Sequence, residues 1–252
     1  AVAVVLSVAL AIPLFGAVAQ AADPTPGGSP TPSASGDPAP SESATPTTSP
    51  SATPSPSFDP TTNSIDSAAS LWVVVNKKRK LDPVTYFPKS LVKPKSTTSL
   101  SNPYRLPLAK PAAKAMIAMA ADMKAAGAGK LVINSAYRSF ASQTSIHAAQ
   151  VARLGLKAGE ALAARPGFSE HQTGLAADLS AVGQGCVIRT CFSKTVAGKW
   201  LAANSHRFGF VLRYPNGRTA VTGYQFEPWH FRYVGVELAT YIKANKITAL
   251  EN

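Results

Sequence analysis

Ser169-Glu170-His171-Gln172-Thr173-Gly174-Leu175-Ala176-Ala177-Asp178 is the stretch on which the fold turns, and Glu227-Pro228-Trp229-His230 answers it much later in the chain. Two imidazoles and a carboxylate are the donor types that zinc takes at about 2.0 to 2.2 Å, usually as three protein ligands in a catalytic site. His171, Asp178 and His230 supply that set. On a continuous helix the step from His171 to Asp178 would span two turns, a rise of about 10.5 Å, too far for both side chains to share one ion. The chain therefore has to bend between them. Gly174 permits the bend, and Leu175 to Leu179 then predicts a short strand with Asp178 near its end. Pro228 biases Glu227 toward extended backbone, so Glu227 and His230 are expected to enter a strand from a turn. In that arrangement His230 is a ligand and Glu227 the base that takes a proton from the attacking water.

Ser169-x-His171-x-x-Gly174-x-Ala176-x-Asp178, Glu227-x-Trp229-His230 and the upstream Ser135-Ala136-Tyr137-Arg138-Ser139 resemble the zinc D-alanyl-D-alanine carboxypeptidases of the VanY type. These belong with the D-Ala-D-Ala dipeptidases and the Hedgehog-like metallopeptidases. The likeness runs from about Leu71 to about Tyr241. It implies one zinc ion as cofactor and a peptidoglycan stem peptide ending in D-alanine as substrate. It also implies that Arg138 binds substrate near the scissile bond, that Gln143 and Ser169 help to hold the terminal carboxylate, and that Tyr214 stands on the substrate side. Arg138 suits its role because a planar guanidinium holds a carboxylate or a developing oxyanion through two parallel hydrogen bonds.

Composition bounds the rest. A chain of 252 residues has room for one sizeable domain plus appendages. Residues 1–63 hold only Asp23, Asp37, Glu42 and Asp59 among charged side chains, so all 25 basic residues lie downstream with nine acidic ones, a charge of +16 there. Such a surface favours anionic partners. No zinc-finger spacing, aromatic RNA-binding motif or basic helix accompanies it, so an anionic cell wall is the expected partner and nucleic acid is not.

Ala1 to Ala22 is apolar and uncharged with small residues at its end, which reads as a signal-peptide core lacking its start. An uncleaved anchor is the alternative, because about 20 apolar residues can span a bilayer. Export with cleavage is preferred, and only an uncleaved segment would bring the chain to a membrane. Either way the domain is expected outside the cytoplasm, secreted or attached to a bacterial wall or membrane, and acting as a monomer. From Asp23 to about Asn63 the chain is rich in Pro, Ser, Thr, Ala and Gly and predicts a disordered linker, with residues 64–252 forming the peptidase domain.

Within that domain Leu71 to Val75 predicts a strand, and the basic run Lys77-Lys78-Arg79-Lys80 after it a solvated turn. Pro111 to about Ala126 predicts a helix, with Met116, Met119 and Met123 as core. Leu131 to Ser135 predicts a buried strand that delivers Tyr137 and Arg138. Helices follow at Ser142 to Leu154, with Ser139 as cap, and at Ala158 to Ala164. His147 falls within the first and is expected to pack, not to bind metal. Cys186 and Cys191, the only cysteines, read as a local disulfide at the cleft rim. Gly198 to His206 predicts a helix, Phe210 to Tyr214 a strand and Val234 to Ala244 a closing helix. Trp229 and Phe231 wall the site or fill the core beneath it. The fold class is α+β: a small, mainly antiparallel sheet with packed helices and a metal in a cleft across it.

The activity this implies is zinc-dependent removal of a C-terminal D-alanine, with Glu227 moving the proton to the leaving amine and Arg138 at the carboxylate or oxyanion. An L,D-carboxypeptidase, a peptidoglycan endopeptidase or a non-catalytic wall-binding module on the same fold remains open.

Overall fold

The structure is a computed structural model that describes residues 58–252. The expected leader at 1–22 and most of the expected linker at 23–63 lie outside the described residues. Phe58, the first described residue, packs within the expected linker: its ring lies 5.6 Å from Trp72 and 4.7 Å from Tyr241.

The elements in order are β1 (Leu91–Val92), β2 (Leu100–Ser101), β3 (Leu108–Ala109), α1 (Lys110–Ala125), β4 (Leu131–Ser135), α2 (Phe140–Leu154), α3 (Leu156–Leu162), β5 (Ala176–Ala181), α4 (Val196–Asn204), β6 (Phe210–Leu212), α5 (Thr219–Thr222), β7 (His230–Tyr233) and α6 (Val236–Ala244). Five strands form one sheet in the order β2-β4-β5-β7-β6, antiparallel except for β2 beside β4. β1 and β3 make a separate antiparallel pair.

Strand alternation sorts the residues of this sheet onto two faces. Leu131 and Ile133 of β4, Ala177 and Leu179 of β5 and Phe231 of β7 enter the main core, together with Met116, Met119 and Met123 of α1 and Leu201 of α4. The methionines are core packing, as their helical spacing predicts. Asp178 on β5, and His230 and Arg232 on β7, are the alternate residues and carry the opposite face. All six residues of β5 are buried, so polar side chains on that face have to find partners within the protein.

Two helix starts follow side-chain caps: Ser139 accepts from Ser142 N ahead of α2, and Thr195 accepts from Gly198 N ahead of α4. The second cap starts α4 two residues before the expected Gly198, and a 3-10 turn, Ser205–Phe208, takes over its expected end and holds His206. α3 is shifted two residues from the expected 158–164, and α6 starts after Gly235 at φ 87° instead of at Val234.

The expected strand at Leu71 to Val75 is absent. The run is buried at Trp72 to Val75 but irregular. Several of its polar backbone atoms meet side chains and a loop in place of a neighbouring strand. Arg232 Nη2 donates to Leu71 O at 2.9 Å, Arg79 Nε to Val74 O at 3.2 Å and Arg213 Nη2 to Val75 O at 3.4 Å, while Val74 N donates to Ile65 O at 2.9 Å. The basic run after it turns as expected, with Asn76 and Arg79 exchanging backbone hydrogen bonds.

Candidate metal centre and substrate cleft

Sheet register does half the work of building the centre. β5 and β7 pair so that Asp178 stands directly opposite His230, with Ser135 of β4 on the other side of Asp178. Opposed residues on one face of an antiparallel pair have Cβ atoms about 5 Å apart. His230 Nδ1 accordingly lies 3.1 Å from Asp178 Oδ1.

The bend at Gly174 does the other half. Glu170–Thr173 forms a 3-10 turn, and Gly174 ends it in the left-handed region at φ 69°. A Cβ there would stand 3.0 Å from Ala109 N and 3.1 Å from Leu91 Cδ2, so both conformation and space call for glycine. The chain reverses into β5 and brings His171 Nε2 to 3.3 Å from Asp178 Oδ2. One atom from each of His171, Asp178 and His230 lies within 4.8 Å of the others, and all three residues are buried. The structure thus brings together the three side chains that the sequence suggests as ligands.

The donor chemistry fits zinc. Each imidazole is held from behind by an acceptor: His171 Nδ1 lies 2.7 Å from Ala136 O, and His230 Nε2 lies 3.3 Å from Glu170 Oε2. A proton fixed on the outer nitrogen leaves the inner one as a lone-pair donor, the usual outer support of a metal-binding histidine. Burial, followed by the nearby Arg138 charge, holds His171 below the ordinary imidazole value, which keeps it neutral. Burial alone would lower His230 as well, but carboxylates at both ring nitrogens, Asp178 and Glu170, outweigh it and push the ring up to about 9. Burial likewise disfavours ionised Asp178, yet His171 and then His230 outweigh it and hold its carboxyl far below the usual range. The site therefore favours positive charge between Asp178 and His230, which is what a bound dication supplies.

Glu227 comes from the turn before β7. Its N donates to Tyr214 O at 3.0 Å, its O accepts from His230 N at 3.0 Å, and its Oε2 stands 3.8 Å from His230 Nδ1. Burial is the main reason that its carboxyl rises to about 7; His230 pulls it down and the Asp178 charge pushes it up. A carboxyl beside the donor set that titrates near neutrality is suited to proton transfer.

The other expected residues line the same cleft of about 450 Å³. Arg138 follows β4, tied to the His171 turn by its backbone N donating to His171 O at 3.1 Å. Its Nε has no partner, and no carboxylate within the described residues pairs with its guanidinium. Gln143 on α2 is buried; its Nε2 donates to Ala164 O at 2.6 Å and its Oε1 is unpartnered. Ser169 is also buried and lines the same cleft. Tyr214 lies 4.7 Å from the His230 ring and stacks at 4.4 Å on Tyr224. Burial raises its hydroxyl well above the ordinary value, so it stays protonated. Trp229 lines the cleft, and Phe231 fills the core. His147 Nε2 lies 3.5 Å from Glu160 Oε1 and does not belong to the donor set. Cys186 and Cys191 are disulfide-bonded, and the loop between them adds Ile188 and Thr190 to the cleft wall.

Glu170 is the residue that sequence reasoning left without a role. Its side chain has no exposure; Oε1 accepts from Arg213 Nε at 2.7 Å and from Arg232 Nη1 at 2.9 Å, while Oε2 faces His230. The two arginines outweigh its burial and keep it ionised. The signal was present in the chain: Arg213 and Arg232 sit within apolar runs, Leu212 to Tyr214 and Phe231 to Val234, and a buried guanidinium has to meet an acid.

Residues 105–236 match the protein family described as VanY, D-alanyl-D-alanine carboxypeptidase. The chain is 36% identical over 189 residues to YodJ of Bacillus subtilis (strain 168), which is named as a carboxypeptidase; the match covers 75% of this chain and 68% of YodJ. Among solved structures it resembles the LdcB LD-carboxypeptidase, with a TM-score of 0.64 and 38% identity over 70% of this chain and 82% of that one. It also resembles a mutant of the vancomycin resistance D,D-pentapeptidase VanY in complex with Zn(II), with a TM-score of 0.58 and 29% identity over 71% of this chain and 96% of that one.

Proposed function

This chain belongs to the VanY family of D-alanyl-D-alanine carboxypeptidases, and we propose that it hydrolyses the C-terminal D-alanine from peptidoglycan stem peptides as a zinc metallopeptidase. The observation that carries this reading is the convergence of His171, Asp178 and His230 in one cleft with Glu227 at 3.8 Å and an unpaired Arg138.

His171, Asp178 and His230 would hold the ion, which supplies a Lewis acid for the scissile carbonyl and lowers the pKa of water toward about 7. Glu227 takes the proton of the attacking water on its carboxylate and passes it to the departing D-alanine nitrogen, so that carboxylate is regenerated at the end of the cycle. Arg138 stays charged although burial disfavours it, and its free N–H groups receive the peptide's carboxylate or the oxygen that gains charge during attack. Gln143 and Ser169 complete the wall on that side. Tyr214, protonated, stacked on Tyr224 and tilted against His230, supports the ligand ring and borders the substrate.

We place the reaction outside the cytoplasm, in an anionic wall, with the chain acting as a monomer. The disulfide and the downstream charge of +16 support that placement. A second reading, L,D-carboxypeptidase, is favoured by the likeness to LdcB. Purified protein incubated with pentapeptide and tetrapeptide stems separates the two. Release of one D-alanine from the pentapeptide alone supports the D,D reading; turnover of the tetrapeptide with the pentapeptide untouched contradicts it.

A further inference from the structure

Behind the donor set lie two acidic and two basic side chains that almost exclude solvent: Glu170, Arg213 and Arg232 have no exposed side-chain area, and Glu251 has 12%. Two guanidiniums converge on a single oxygen, Glu170 Oε1, at 2.7 and 2.9 Å, whereas the contact of Oε2 with His230 Nε2 is longer, at 3.3 Å. The hold of Glu170 on the ligand ring is thus the loosest of its three contacts. Glu251 supplies the second carboxylate. Its Oε1 accepts from Arg213 Nη2 at 2.6 Å and its Oε2 from Arg213 Nη1 at 2.8 Å, a two-pronged pair, while Asn76 Nδ2 donates to Oε1 at 3.1 Å.

We infer that Glu251 is a positioning residue for zinc binding: by occupying the outer fork of Arg213 it leaves Glu170 free to orient His230. Resting as it does on the zinc reading above, this extends the centre to a residue beyond the family match at 105–236. Two buried guanidiniums need two carboxylates. Without Glu251, Glu170 is the one carboxylate among the described residues left within reach of Arg213. Each ångström by which Glu170 turns toward the arginines is lost from its contact with His230 Nε2, and the tautomer that offers Nδ1 to the metal loses its support. The chain from Glu251 to Arg213 to Glu170 to His230 is continuous, every link being within 3.3 Å.

The test is the zinc dissociation constant of the full chain, measured by competition with a chromogenic chelator, in wild type, Glu251→Gln and Asp66→Asn. Loss of one member of a ligand's outer support weakens metal binding by about 10-fold or more. Because Glu251 acts through two intervening side chains, the expected weakening in E251Q is about 3- to 10-fold, with kcat and KM restored at saturating zinc. Asp66→Asn breaks the surface pair with Arg79 and should leave the constant unchanged. A constant for E251Q within twofold of wild type, even with a lower Tm, overturns the inference, and so does an equal weakening in D66N. Should E251Q fail to fold, Glu251→Asp, which keeps the charge but withdraws the carboxylate from the Arg213 fork, is held to the same criterion. A wild-type chain that takes up no zinc would overturn the metal reading itself, an outcome distinct from an unchanged E251Q.

Discussion

Replacing Glu170 by Gln tests how the centre is held. The carboxylate meets Arg213 at 2.7 Å, Arg232 at 2.9 Å and His230 at 3.3 Å. Gln keeps the shape but has one acceptor oxygen for these three donors. That oxygen goes to the two arginines, whose contacts are shorter and charged, and the amide N–H groups then face His230 Nε2. A donor at that position moves the ring proton onto Nδ1, the nitrogen that faces Asp178. Removing one partner of a buried ion pair costs about 3 to 5 kcal/mol. With Glu251 still on Arg213 and an amide oxygen in place, the lower figure applies, about 3 kcal/mol. A domain of this size loses about 2 to 4 °C of Tm per kcal/mol, so the expected drop is about 6 to 12 °C, which leaves the protein folded at room temperature. Zinc affinity should fall about 10- to 100-fold through the altered tautomer. Scanning calorimetry with excess zinc reads the first quantity and chelator competition at 25 °C the second. A Tm within 2 °C of wild type together with unchanged zinc affinity would refute the role assigned to Glu170.

Glu227→Gln should cut kcat by about 10²- to 10⁴-fold with zinc content unchanged, because the base is lost and the donor set is not. In the wild type the active form is the carboxylate of a group raised to about 7, so kcat/KM should fall as pH drops through about 7, or somewhat lower when a bound dication draws the pKa down. A profile flat from pH 5 to 8 would contradict this. Arg138→Ala should lower kcat/KM by about 10²- to 10³-fold while one zinc per chain is retained, as read by steady-state kinetics and metal analysis. Cys186→Ser/Cys191→Ser opens a loop of sequence separation 5 and should cost about 2 kcal/mol by chain entropy, with a raised KM as Ile188 and Thr190 lose their place in the wall.

The centre was legible in the sequence because its constraints are local. Gly174 between His171 and Asp178 announces a bend, Pro228 before His230 announces entry to a strand, and strand alternation then carries both ligands to one face. The strand at Leu131 to Ser135 and the cap at Ser139 were legible for the same reason. Leu71 to Val75 was not. Its β-branched run has the composition of a strand, but two of its carbonyls accept from arginine side chains about 140 and 160 residues along in place of a strand neighbour. The same long-range contacts hid Glu170. No spacing rule links it to Arg213, Arg232 and Glu251, and only the folded sheet places all four together.

Zinc content and D-alanine release, measured together on wild type and Asp178→Asn, test the central claim most directly. Asp178 is the carboxylate that both imidazoles face, at 3.3 and 3.1 Å, and it takes no part in proton transfer. The wild type should carry one zinc per chain and release a single D-alanine from a pentapeptide stem, lose both to a chelator and recover both on zinc addition, while D178N should hold no zinc and release nothing. Full release by chelated wild type, or by D178N, would contradict the account.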